Sequence, residues 1–124
     1  MKWASISLTG RVDSLARLTA EVWVSAYIAR LRKEAIPVFV TSKGDATAGA
    51  VLIKVSRLDG TAQVFQRSFD IMTGERSWVV LKDGNERDVD SSIDAQRRFD
   101  PDLWVLEVED RDGRHLLDTS GLAD

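Results

Sequence analysis

The stretch GAVLIKVSRLDGTAQVFQRSFDIMTGERSWVVL, Gly49 to Leu81, decides the fold. Val51, Ile53 and Val55 share one face at period two, within a run rich in β-branched residues. Asp59-Gly60 is a hairpin signal. A second strand, Thr61 to Asp70, carries Gln63, Phe65, Arg67 and Phe69 on one face. After a turn at Thr73-Gly74, Trp78 to Leu81 forms a third strand, which Asp83-Gly84 stops. The expected unit is a three-stranded antiparallel meander.

The first turn closes in two ways. A two-residue turn at Asp59-Gly60 pairs Leu58 with Thr61 and sets both phenylalanines away from Val51, Ile53 and Val55. A three-residue turn at Leu58-Asp59-Gly60, with Gly60 left-handed, pairs Arg57 with Thr61 and places Phe65 and Phe69 beside those aliphatic residues. A one-residue slip moves every side chain to the other face. The second register gathers the larger apolar groups and is preferred.

Upstream, Thr19 to Ala35 reads as a helix capped by Thr19, with Glu21 in the first turn and Arg30, Arg32 and Lys33 in the last. Trp23, Tyr27 and Leu31 form its apolar stripe, widened by Ala26, and Pro37 ends it. Val38 to Thr41 is a short strand, and Lys43 to Gly49 is a loop of small residues. Downstream, Gly84 to Phe99 forms a second helix with a narrow stripe of Val89, Ile93 and Phe99. Leu103 to Glu109 is a further strand, with Trp104, Leu106 and Val108 on one face. Asp112-Gly113 turns into the apolar tail His115 to Asp118. Residues 1–14 alternate weakly and are either an edge strand or an upstream extension of one domain over residues 15–124. The expected fold is α+β, an antiparallel sheet packed with two main helices, in the order (β)-α-β-β-β-β-α-β.

Composition bounds the function. At 124 residues the chain is one domain, and 44% apolar with 30% charged residues is ordinary for a globular protein. The 17 basic and 20 acidic side chains interleave to a net charge of −3, which gives no overall attraction to nucleic acid or to anionic membrane. The basic cluster Arg30, Arg32 and Lys33 is short and lacks aromatic interleaving. No apolar run is long enough to span a membrane, and Met1 to Gly10 lacks the apolar core of a secretory signal. The absence of cysteine excludes disulfides and thiol chemistry and fits a cytoplasmic setting.

Several segments together resemble a known family. Leu18-Thr19-Ala20-Glu21-Val22-Trp23-Val24-Ser25-Ala26-Tyr27 opens the first helix, and Gly44 to Leu52 leads into the meander. Met72-Thr73-Gly74-Glu75-Arg76 makes its second turn. Phe99-Asp100-Pro101-Asp102-Leu103-Trp104 joins the last helix to its strand, and Glu107-Val108-Glu109-Asp110-Arg111 follows. The chain resembles the bacterial family known as domain of unknown function 1491 over about Leu15 to Leu122. The resemblance implies no catalytic or binding residue.

Candidate chemistry is weighed residue by residue. One histidine, His115, and no cysteine leave no ordinary zinc site, and no cofactor is expected. Asp110-Arg111-Asp112-Gly113 lacks calcium-loop spacing and is a surface turn. Glu21, Asp45 and Lys54 mimic part of a PD-(D/E)xK nuclease constellation, but Leu52 stands where its second carboxylate belongs. Glu21 then serves the helix end, and Lys54 the solvent. Gly44 to Gly49 precedes a strand, not the helix that a phosphate cradle uses.

Trp23 and Trp104 fall in core patterns. Arg67 lies on the core face and must pair or reach the rim, while Asp70, Glu75 and Arg76 cluster at the next turn as a salt-bridge network or an anion or partner site. Asp45, Arg67, Asp70, Glu75, Arg76 and Trp78 are therefore the candidate ligand or partner contacts. The leading function is a non-enzymatic interaction or regulatory module. The runner-up is a small enzyme using carboxylates and arginine on a phosphorylated or nucleic-acid substrate.

A homodimer is expected, because the meander's second face, with Ala50, Leu52, Val64, Trp78 and, in one register of the second hairpin, Val80, needs a cover that the second helix only narrowly provides. Exposed edge strands offer a further route to pairing.

Overall fold

The computed structural model describes residues 18–119. The expected strand in residues 1–14 lies outside the described residues. The elements are α1 (Ala20–Lys33), β1 (Val38–Ser42), β2 (Val51–Ser56), β3 (Thr61–Phe69), β4 (Arg76–Asn85), α2 (Glu86–Phe99) and β5 (Trp104–Glu109). The strands form one sheet in the order β1-β5-β2-β3-β4.

The sheet is mixed, not antiparallel as expected. β1–β5, β2–β3 and β3–β4 are antiparallel, but β2 and β5 are parallel, with Ile53 opposite Leu106. Two hairpins make β4 run in the direction of β2. The chain then crosses the sheet through α2 and enters beside β2 in that same direction, as a helical crossover dictates. β5 thus fills the slot between β1 and β2.

The first hairpin takes the three-residue turn. The Arg57 N–H donates to the Thr61 carbonyl at 3.1 Å, Ile53 faces Phe65, and Gly60 has φ +91°. Phe65 is buried as that register requires. Phe69 is not: it is 61% exposed, because β3 outruns β2 and its last residues pair only with β4. β4 is also longer than expected and continues through Asp83-Gly84 to Asn85. Its register with β3 shifts beyond Val80, so Leu81 is an extra residue and packs toward the α2 side.

Each sheet face has its own core. On one, Trp23, Val24, Tyr27 and Leu31 of α1 pack on Val51, Ile53, Val55, Phe65, Trp104, Leu106 and Val108. Val24, not Ala26, widens the helix stripe; Ala26 is exposed. On the other, Val89 and Ile93 of α2 cover Leu52, Ala62, Val64, Leu103 and Val105. Phe99 stays outside this core at 89% exposure. The face invoked for dimerisation is therefore covered by α2 within one chain, and Trp78 lies on the opposite face, against Trp23.

The end of α1 carries an identifiable strain. The Ile36 N–H donates to the Leu31 carbonyl and the Ala35 N–H to the Arg32 carbonyl, both at 3.0 Å, which is the Schellman closure. Its left-handed residue is Ala35, with φ +58°, where glycine is usual. Ala35→Gly should stabilise the protein by about 0.5 kcal/mol, because relief of left-handed strain outweighs glycine's extra unfolded-state entropy. A urea midpoint that falls in the variant would contradict this.

Candidate functional site

The six candidate residues divide into three groups. Asp45 belongs to the loop before β2. Its Oδ2 accepts from the Thr47 and Ala48 N–H groups at 3.1 and 2.8 Å, and its carbonyl accepts from the Trp104 Nε1–H at 2.7 Å. The loop carbonyls of Thr47 and Ala46 take the N–H groups of Ala20 and Glu21 at the start of α1. Those donors are thereby occupied, so the helix N-terminus is not an anion site. Thr19 caps the same turn by accepting from the Val22 N–H at 3.3 Å.

Asp70 and Glu75 shape the second hairpin. Asp70 Oδ1 accepts from the Met72 N–H at 2.8 Å, and the Asp70 N–H donates to the Glu75 carbonyl at 2.8 Å. Among the described residues no ion pair joins Asp70, Glu75 and Arg76, so the expected salt-bridge network is not formed there.

Arg67, Arg76 and Trp78 come together. The Arg67 guanidinium stacks between Trp23 and Trp78, 5.2 and 5.0 Å from the ring centroids, and the two indoles are 5.2 Å apart. Stacking helps to accommodate an arginine on a core face here. Arg67 pairs with Trp78, and Phe69 with Arg76, so both arginines lie on the α1 face of the hairpin. Both line a cavity of about 480 Å³ at the end of β2, bounded also by Trp23, Gly49, Gln96 and Asp100.

A second polar centre lies on the α2 face, around Lys54. Lys54 is 5% exposed, not solvated as the sequence suggested. Its Nζ meets Glu86 and Asp90 of α2 at 2.7 Å each and Glu107 of β5 at 3.5 Å. Burial pulls its pKa down, but the hydrogen bonds that its ammonium donates to Asp90 and Glu86 and the field of Glu107 and Asp90 overcome this and leave it raised. A permanently charged ammonium is a poor nucleophile or base, and Lys54 acts as the ionic link between α2 and the sheet. The missed signal was parity. Lys54 shares a face with Leu52, and the parallel register sets Glu107 beside it. Glu21 stands in the first turn of α1 and Asp45 in the loop before β2, while Lys54 is paired on the α2 face and Leu52 is buried, so the nuclease constellation is not assembled. No group of three or more metal-ligating side chains converges among the described residues.

The tail beyond β5 holds His115 half-buried against Phe65, with ring centroids 4.6 Å apart. Its Nδ1 accepts from the Leu117 N–H at 3.0 Å, and its carbonyl accepts from the Tyr27 hydroxyl at 2.8 Å. Burial lowers the His115 pKa below its usual value of 6.5, against a smaller opposing pull from Asp118. The folded state thus favours the neutral ring. Its contribution to stability is full above the unfolded pKa and is lost as pH falls through the lower folded pKa. His115→Asn keeps an acceptor for Leu117 but cannot titrate. Between about pH 7 and pH 5 the parent should lose more thermal stability than this variant, and equal losses would contradict the assignment.

The comparisons with known proteins bear on this geometry. The family model described as protein of unknown function, DUF1491, matches residues 18–118. The chain belongs to the DUF1491 family. That match contains both sheet faces, the Lys54 centre and the Arg67–Arg76 cavity. A crystal structure of a DUF1491 protein from Caulobacter crescentus is similar at 44% identity, covering 81% of this chain and 94% of that one, with a TM-score of 0.74. Protein Atu0922 from A. tumefaciens, solved in solution, is similar at 30% identity, covering 75% of this chain and 86% of that one, with a TM-score of 0.65. No curated protein matches. The family is one of unknown function, so the site is argued from its own chemistry.

Proposed function

We propose that this DUF1491 protein is a non-enzymatic interaction module whose contact surface is the outer hairpin, β3 and β4, and that a second copy of the chain docks there. The observation that carries this is the apolar exposure of the hairpin end. Phe69 is 61%, Ile71 79% and Met72 93% exposed, and Val80 on β4 is 47% exposed. Apolar residues concentrated at one protruding end mark a contact surface, and aromatic residues and methionine are enriched in such surfaces. β4 supports the same reading, since it is a ten-residue edge strand with no strand on its outer side among the described residues. An unpaired edge of that length is a template for a two-fold partner.

The setting proposed is the bacterial cytoplasm. The similar structures named above come from bacteria, the chain has no cysteine, and no described helix is long and apolar enough to cross a membrane. The double variant Ile71→Asp/Met72→Asp tests the surface. By light scattering during gel filtration at micromolar concentration, the parent should have twice the chain mass and the variant one chain mass with unchanged circular dichroism. A parent at one chain mass at every concentration would contradict the dimer.

A further inference from the structure

We infer that the cavity at the end of β2 is a binding site for a small oxyanion, a carboxylate or phosphate group, held by Arg76, Arg67 and the Trp23 indole. Its volume of about 480 Å³ suits a small metabolite. Arg67 and Arg76 belong to β3 and β4, but the cavity lies at the end of β2 beside α1 and is lined within one chain, without the dimer.

Three observations converge on it. Trp23 is 4% exposed, and its Nε1–H is buried with no acceptor among the described residues. An indole donor left without an acceptor in a buried place is costly, and a ligand oxygen would relieve it. The Arg76 guanidinium forms no ion pair among the described residues, although it shares a sheet face with a second cation, Arg67, at a diagonal cross-strand position. Arg76 thus brings a positive charge, unmatched by a carboxylate among the described residues, to the wall of the cavity. The Arg67 guanidinium is held in place by the two flanking indoles, so its geometry is set before any ligand arrives.

The remaining lining is consistent with a compact polar group. Gln66 and Gln96 add amide groups to the lining, and Asp100 is its one carboxylate among the described residues. Asp100 Oδ1 accepts from the Asp102 N–H at 3.1 Å. Trp104 also has a buried indole, but its Nε1–H is satisfied by the Asp45 carbonyl, which makes it an internal control.

Titration of the full chain with inorganic phosphate and, separately, with succinate, followed through the indole N–H resonances, tests the site. At least one of the two should move the Trp23 indole resonance saturably while that of Trp104 stays fixed, and which one does so distinguishes phosphate from carboxylate. Arg76→Gln, half-exposed on β4 and expected to fold, should weaken that binding about tenfold, the worth of one charge-assisted hydrogen bond near a surface. Three results would overturn the site: no saturable shift with either anion, a shift reproduced by sodium chloride at equal ionic strength, or unchanged affinity in a folded Arg76→Gln protein.

Discussion

Gly49→Ala should destabilise the protein by about 3 kcal/mol, at the upper end of what overpacking costs. A Cβ at Gly49 would lie 2.6 Å from the Asp102 carbonyl oxygen, 2.7 Å from that of Asp45 and 2.8 Å from Cδ1 of Trp104. Two of these neighbours are backbone atoms and cannot swing away. Gly44→Ala should do the same, since its Cβ would fall against Asp102 and Trp104. These glycines let the loop lie flat against the start of β5, where the Asp45 N–H donates to the Asp102 carbonyl at 2.9 Å. That docking seats the Trp104 indole and positions the loop carbonyls that satisfy the first N–H groups of α1. An unfolding free energy from urea within about 0.5 kcal/mol of the parent, a typical surface-substitution effect, would show that the close approach does not exist.

Lys54→Ala should cost about 2 kcal/mol. Breaking a fully buried ion pair costs more, but Glu86, Asp90 and Glu107 keep 36%, 52% and 24% of their side-chain surface exposed and would recover hydration. What remains is the repulsion of three carboxylates and the lost packing of the lysine stem. Lys54→Met should recover the packing but not the charge. In urea, about 1 M sodium chloride should narrow the gap between Lys54→Met and the parent, because salt screens the carboxylates from one another. A gap that is insensitive to salt would mean that the three carboxylates do not act on one another.

Local order was legible in the sequence, and long-range pairing less so. The Trp23, Tyr27, Leu31 spacing, the Thr19 cap and the three-residue turn at Gly60 depend on neighbours a few residues apart, and all are found. The parallel insertion of β5 depends on where α2 returns the chain, which no local pattern states. The burial of Lys54 follows from that insertion, because its partner Glu107 arrives with β5. Phe69 was misplaced because period two assigns a face but not the length of the neighbouring strand. Of the candidate contacts, Arg67, Arg76 and Trp78 converge, while Asp45, Asp70 and Glu75 are taken up in turns. A carboxylate beside a glycine-rich loop looks the same in one dimension whether it binds a ligand or closes an Asx turn.

The proposed contact through the outer hairpin makes β4 the element whose environment must change on association. Hydrogen exchange of the β4 backbone amides, Arg76 to Asn85, compared at dilute and at concentrated protein, measures this directly. The amides on the outer edge of β4 should exchange more slowly at high concentration, and the Ile71→Asp/Met72→Asp variant should lose that difference. Rates along β4 that do not change with concentration would contradict a contact at this surface.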